Sequence, residues 1–246
     1  MSIDNAIASL AVGNVKSAAI RMRTSRWSIA AMLVLGALAL TPPLAASVTQ
    51  ADKWAAELAA FEAQDRIDPA VGGIVFVGSS SIRLWDLGRS FPAAKALNRG
   101  FGGTEIADSV NHVDRLVIRH KPRIVVFYAG DNDIAAGKSA EDVAAGFKAF
   151  VAKVRATLPE TRIAFIGIKP SLQRWALIAQ IRRANALVRD YCDGDDRLGF
   201  VDVDGPMLGW DGKPRTDLFA EDGLHLSPKG YALWTTLVQP FIENAR

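Results

Sequence analysis

Residues 72–81 read Gly72-Gly73-Ile74-Val75-Phe76-Val77-Gly78-Ser79-Ser80-Ser81. A short apolar run rich in β-branched side chains, bounded by glycine, predicts a strand buried on both faces. Further strands are expected at residues 95–98, 123–129, 162–168 and 198–203, of which 95–98 has the weakest pattern. Helical spacing separates them. Trp54, Leu58 and Phe61 recur over residues 51–66, and Ile106, Val110, Val113 and Val117 share one face. Val143, Phe147, Phe150, Val154 and Leu158 share another, with Ser139 as N-cap and Glu141 and Asp142 in the first turn. A helix is expected over residues 173–191. A last one runs from Ser227, its cap, to about Glu243, with Pro228 at the first position and Leu226 set to pack on Tyr231.

Strands alternating with helices predict an α/β fold: a doubly wound, mainly parallel five-stranded sheet in a flavodoxin-like three-layer sandwich. Such sheets bind ligands beyond the C-terminal ends of their strands. One domain over residues 47–246 accounts for this pattern, with no internal repeat and no low-complexity tract.

The N-terminus has a different character. Arg21, Arg23 and Arg26 precede an apolar run, residues 27–40, followed by Pro42-Pro43 and Leu44-Ala45-Ala46. Basic residues, an apolar stretch and small residues at a cut are the layout of a secretory signal peptide over residues 1–46. The run is shorter than the roughly 20 residues of a spanning helix, and uncleaved it would act as an anchor. Met22 opens a more compact leader and is a candidate true start. The expected location is exported, periplasmic or secreted. The leader also carries the basic excess: it holds Lys16, Arg21, Arg23 and Arg26 against Asp4. Subtracting these from 29 basic and 26 acidic residues leaves 25 of each. Net charge therefore gives no argument for a nucleic acid or an anionic membrane as partner. Cys192 is the only cysteine, so no intrachain disulfide forms, and it reads as a packing residue.

Small and polar residues follow each strand: Gly78 to Ser81, Asn98 to Thr104, Gly130-Asp131-Asn132-Asp133, Lys169-Pro170-Ser171, and Asp222-Gly223-Leu224-His225. Acyl transfer needs a hydroxyl nucleophile, an imidazole to take its proton, a carboxylate to fix the imidazole tautomer, and donors for the oxyanion. This edge supplies each. Ser80 is the candidate nucleophile, His225 the base and Asp222 its orienting carboxylate. The backbone N–H groups of Ser80 and Gly103 and the side-chain amide of Asn132 are the candidate oxyanion donors. Arg99 and Lys169 stand at the same edge as candidate substrate contacts. No cofactor or metal is called for: Asp131 and Asp133 lack the rest of a calcium loop, and Glu105 replaces the third glycine of a dinucleotide motif.

With these blocks in view, residues 76–234 resemble the SGNH (GDSL-type) hydrolases. Phe76 to Trp85 is similar to the first block, Asn98 to Thr104 to the second, Gly130 to Asp133 to the third, and Asp222 to His225 to the last. The family usually has Asp before its nucleophile, where this chain has Ser79. That opens a choice among Ser79, Ser80 and Ser81, and aligning Gly78 with the motif glycine selects Ser80. The rival α/β-hydrolase elbow wants a second glycine where Ile82 stands.

Each residue also has a plainer use. Ser80 could cap a helix, His225 could be a solvated loop residue, and Trp85, Trp175 and Trp210 could be packing residues. His112 and His120 read as structural, with His120 suited to the negative end of a helix dipole. The resemblance implies a carboxylic ester hydrolase of a family that includes acetyl esterases, carbohydrate deacetylases, lysophospholipases and thioesterases. No large apolar insertion covers a long acyl chain, so a small ester with a short acyl group is the expected substrate. Longer acyl chains, or a non-catalytic glycan- or lipid-binding module on the same fold, are the alternatives.

Overall fold

A computed structural model of the chain describes residues 53–243; the leader, its cleavage site and Met22 lie outside the described residues. Five strands pair entirely in parallel: β1 (Ile74–Gly78), β2 (Ala96–Gly100), β3 (Ile124–Tyr128), β4 (Arg162–Ile166) and β5 (Leu198–Val201). Their order is β2-β1-β3-β4-β5, the flavodoxin-like order with its switch point between β1 and β3. β1 and β3 are buried along their whole length, as their unbroken apolar runs require.

Helices cover both faces. Side chains of α1 (Ala55–Ile67), α4 (Ile106–Asn111), α5 (Val113–Leu116), α7 (Ala140–Thr157) and α8 (Ile178–Asp193) pack on Val75, Val77, Val125 and Phe127. Side chains of α2 (Ser80–Arg83), α3 (Leu87–Ser90) and α9 (Pro228–Glu243) pack on Phe76, Val126, Tyr128 and Ile166. The period-2 alternation of each strand divides these two cores. A short helix α6 (Asp131–Ala135) follows β3.

Local signals explain most of the boundaries. Ser139 and Asp142 form a reciprocal capping box at α7. Ser227 Oγ accepts from Gly230 N at 3.2 Å, and Pro228 occupies the first turn of α9. Two expectations need correction. The helix predicted across residues 106–117 is broken at His112, between α4 and α5. The His112 backbone, at φ −106° and ψ 13°, departs from helical geometry, its ring lies edge-on to Phe101, and the β-branched valines on either side favour a helix only weakly. His120 ends a three-residue 3-10 turn rather than a helix with a dipole. Burial lowers its pKa, outweighing the Ala70 carbonyl 3.0 Å from Nδ1 and the nearby Asp65, both of which favour the expected cation.

Candidate active site

The chain leaves β1 at Gly78, where a Cβ would lie 1.9 Å from the Tyr128 carbonyl oxygen. Only glycine permits that approach, and it sets the start of α2 tightly against the end of β3. Ser79 occupies the N-cap position of α2 without a side-chain capping bond, and Ser80 is the first residue of the helix. Asn98 holds the other end of this short helix: its Nδ2 donates to the Ile82 carbonyl at 2.7 Å and to that of Trp85 at 3.1 Å. Its Oδ1 accepts from Gly100 N, so the whole amide is used. Asn98 is thus a positioning residue that residue-by-residue reading passed over.

Of the three adjacent serines, Ser80 is the one that reaches the imidazole: its Oγ lies 2.9 Å from His225 Nε2. Ser79 is buried, and Ser81 Oγ accepts from Lys169 Nζ at 3.2 Å. His225 Nδ1 lies 2.5 Å from Asp222 Oδ2. With Nδ1 donating to that carboxylate, Nε2 is the acceptor that faces the hydroxyl. The second oxygen of Asp222 accepts from the backbone N–H groups of Leu224 and His225, each at 2.9 Å. The bond from His225 and these two amides hold the Asp222 carboxyl down at about 2. The loop is further closed by Ala220 N donating to the His225 carbonyl and by a bridge between Phe219 and Leu226.

Gly103 lies on the loop after β2 at φ +71°, a left-handed position where a side chain would add strain. Its neighbour Thr104 joins this loop to the next: Asn132 Nδ2 donates to the Thr104 carbonyl at 2.9 Å. A carboxamide nitrogen carries two hydrogens, so one remains for a substrate oxygen. Asn132 Oδ1 in turn accepts from Arg174 Nη2 at 2.8 Å, which fixes the amide flip. The same guanidinium lies 3.2 Å from Asp131 Oδ2.

Asp131 is the centre of a buried cluster. Its Oδ2 accepts from Lys169 Nζ at 3.0 Å and from Tyr128 Oη at 3.1 Å, and Lys169 also donates to Tyr128 Oη at 2.9 Å. Burial alone would raise the carboxyl, but Lys169 and Arg174 outweigh it and keep it below its ordinary range, hence ionised. Burial lowers the Lys169 ammonium, with Asp131 opposing that shift.

The two candidate substrate contacts are therefore reassigned. β2 runs two residues further than expected, so Arg99 lies within the strand and points to the α1 face. There it is fully buried and paired with Asp65 and Gln64. Lys169 follows β4 as expected but turns inward and is 1% exposed. Neither presents its charge to a substrate. Asp133 is likewise committed, to Lys138 and the Ile106 amide. Among the described residues no group of three or more His, Cys, Asp or Glu side chains is placed to hold a metal.

A parallel sheet in this order, with serine, glycine, asparagine and histidine gathered at its C-terminal edge, defines the class of the SGNH hydrolases. The sequence profile of the GDSL-like Lipase/Acylhydrolase family matches residues 83–233, and the chain belongs to that family of carboxylic ester hydrolases. The matched span contains Gly103, Asn132, Asp222 and His225 and begins just after Ser80. The chain is 36% identical over 169 residues to platelet-activating factor acetylhydrolase IB subunit alpha1 of Bos taurus, covering 64% of this chain and 69% of that one. It is 28% identical over 207 residues to the alpha2 subunit of Rattus norvegicus, covering 79% and 85%. Among solved structures, a GDSL-like lipase from Bacteroides thetaiotaomicron superposes with a TM-score of 0.64 at 21% identity, over 80% of this chain and 98% of that one. A carbohydrate esterase family 3 protein from Talaromyces cellulolyticus gives 0.56 at 18% identity, over 71% and 99%. At these identities the structural likeness is one of fold.

Proposed function

We propose that Ser80, His225 and Asp222 act as a catalytic triad that hydrolyses small esters with a short, acetyl-like acyl group. The observation that carries this is the continuous line of contacts from Ser80 Oγ through the imidazole to Asp222, at 2.9 Å and 2.5 Å. Ser80 Oγ attacks the ester carbonyl while His225 Nε2 takes its proton. The carbonyl oxygen becomes an oxyanion, met by the backbone N–H groups of Ser80 and Gly103 and by Asn132 Nδ2. His225 then gives the proton to the departing alkoxide, leaving an acyl-enzyme and a free alcohol. Water attacks the acyl carbon with His225 again as base, releasing the acid and restoring Ser80.

The two relatives above carry the name acetylhydrolase. The test is turnover of p-nitrophenyl acetate by protein starting at Ser47, beside Ser79→Ala, Ser80→Ala and Ser81→Ala. Ser80→Ala is expected to lose about 10⁴-fold or more in kcat, with the other two retaining turnover. Equal rates in all four proteins would reject the triad and favour a binding module. Faster hydrolysis of a long-chain ester than of acetate would reject the short acyl group. Export by the leader is a further part of the proposal and rests on residues 21–46 alone; the mass of the exported protein tests it.

A further inference from the structure

A groove of about 730 Å³ opens beside His225 on the α2–α3–α9 face. Asp222 and His225 form one wall, Leu84, Trp85 and Arg89 another, and Tyr231, Ala232 and Thr235 of α9 a third. Its volume falls within the range of small-molecule sites, about 300–1,000 Å³. It meets the triad through His225 and Asp222, and Ser80, Gly103, Asn132 and Arg174 do not line it. The groove therefore belongs to the base side of Ser80 and not to the oxyanion side. Its middle is apolar, with Leu84 half-exposed and Trp85, Leu226 and Tyr231 packed behind it. Tyr231 Oη is turned away, donating to the Ser81 carbonyl at 3.0 Å.

The reaction dictates which part of an ester can lie there. In the tetrahedral intermediate the acyl carbon bears the Ser80 oxygen, the oxyanion, the acyl substituent and the alcohol oxygen. The imidazole must move one proton from Ser80 Oγ to that alcohol oxygen as the carbon–oxygen bond breaks. The alcohol oxygen is therefore held on the imidazole side, and the chain attached to it continues past His225. The oxyanion is directed to Asn132 and Gly103, and the acyl substituent takes the remaining direction, away from the base.

We infer that this groove binds the alcohol moiety of the substrate, and that the moiety is an apolar chain or ring rather than a free sugar. The inference rests on the triad proposed above and deepens it: the acyl group is small, and selectivity lies in the leaving alcohol. Leu84, exposed at the C-cap of α2, and Ala232, exposed on α9, face the groove and set its width. Asp86 and Arg89, also in its lining, give the chain a polar group to approach.

Two ester series separate the acyl and alcohol directions. One holds the acyl group as acetate and lengthens the alcohol from ethyl to octyl. The other holds the alcohol as ethyl and lengthens the acyl group. Acylation is read as kcat/KM. It is expected to rise about twofold to fourfold per methylene along the alcohol series while chain is being buried, and to stay flat or fall along the acyl series. Ala232→Trp, which fills the groove from an exposed helical site, should flatten the alcohol series. Leu84→Asn should weaken the rise in the same way if the tryptophan variant fails to fold. A rise confined to the acyl series, or an alcohol rise that survives both substitutions, overturns the inference while leaving the triad standing. Absence of Ser80-dependent turnover on every ester overturns the triad, and this inference with it.

Discussion

The two halves of the proposed site, base and oxyanion donor, are built in opposite ways. On the base side, Asp222 and His225 belong to one exposed turn, three residues apart, and the Asp222 side chain is 45% exposed. Most bonds that shape the turn are local: Asp222 accepts from the backbone amides two and three residues on, and the ring contact closes the same loop, with Gln173 N donating to the Gly223 carbonyl as its one distant backbone tie. On the oxyanion side, Asn132 is held by groups 28 and 42 residues away, over a cluster of Asp131, Lys169 and Tyr128 that water hardly reaches. A base must shuttle a proton and change charge in each cycle, which a solvated turn tolerates. An oxyanion donor works by being fixed before the charge appears, which a packed and charge-paired support provides.

Stability should divide along the same line. Lys169→Met removes the principal counter-charge of a buried carboxylate and leaves Asp131 to Arg174 alone. Breaking a buried pair in this manner costs about 3–5 kcal/mol, and urea unfolding would read it directly. Asp222→Asn, on the solvated turn, should cost under about 1 kcal/mol. Adding Asp131→Asn to Lys169→Met should restore part of the loss, because the stranded charge is then gone. Equal small losses at Lys169 and Asp222 would show that the buried cluster is not what braces the oxyanion side.

The division also explains what could be read from the chain. The strand runs around Ile74 and Ile124 are continuous and apolar, so the sheet and its class were legible from short-range pattern. Asp222-Gly223-Leu224-His225 is a local motif, and its turn can be drawn from four residues. Arg174 carried no signal of its own: it is an ordinary arginine before a 3-10 turn, and only folding brings it to Asn132. Arg99 was misplaced because the weak strand it belongs to ends at Gly100, and two residues of extension turned its side chain to the other face. Lys169 stood where a substrate contact would stand, but burial among Tyr128, Ser81 and Asp131 depends on tertiary packing that no local pattern encodes. Asn98 was noted within a block, yet its clamp on the Ile82 and Trp85 carbonyls appears only once α2 is docked on β2.

Arg174 sharpens the contrast by joining the buried cluster to the reacting edge. Its contact with Asn132 Oδ1 at 2.8 Å keeps the amide nitrogen facing the site. Arg174→Met should lower kcat by about tenfold, less than the 10²–10³ typical of removing an oxyanion donor outright, with KM within twofold. Arg174→Lys should recover part of the rate by again donating to Oδ1. A boronic acid that forms a tetrahedral adduct with Ser80 should bind the methionine variant more weakly by the same factor. Loss of kcat without loss of boronate affinity would mean that Arg174 acts on folding or on product release and not on the amide.

The smallest expected effect lies on the base side, and its sign follows from the direction of the shift. The Asp222 carboxyl is held at about 2, below its unfolded value of about 3.9. A depressed carboxylate contributes stability that is fully present above the unfolded value and is lost as pH falls through the folded one. The stability advantage of wild type over Asp222→Asn that comes from this carboxyl should therefore be full above about pH 5, shrink from there downward and be gone by about pH 1. Because the group is nearly half exposed, solvent screens the interaction and the advantage is small at every pH. Differential urea midpoints measured from pH 7 to pH 2 would follow it. An advantage that grew between about pH 5 and pH 2 would place the native carboxyl above its unfolded value, and the hydrogen bonds from His225 and the Leu224 amide could not then be what holds it ionised.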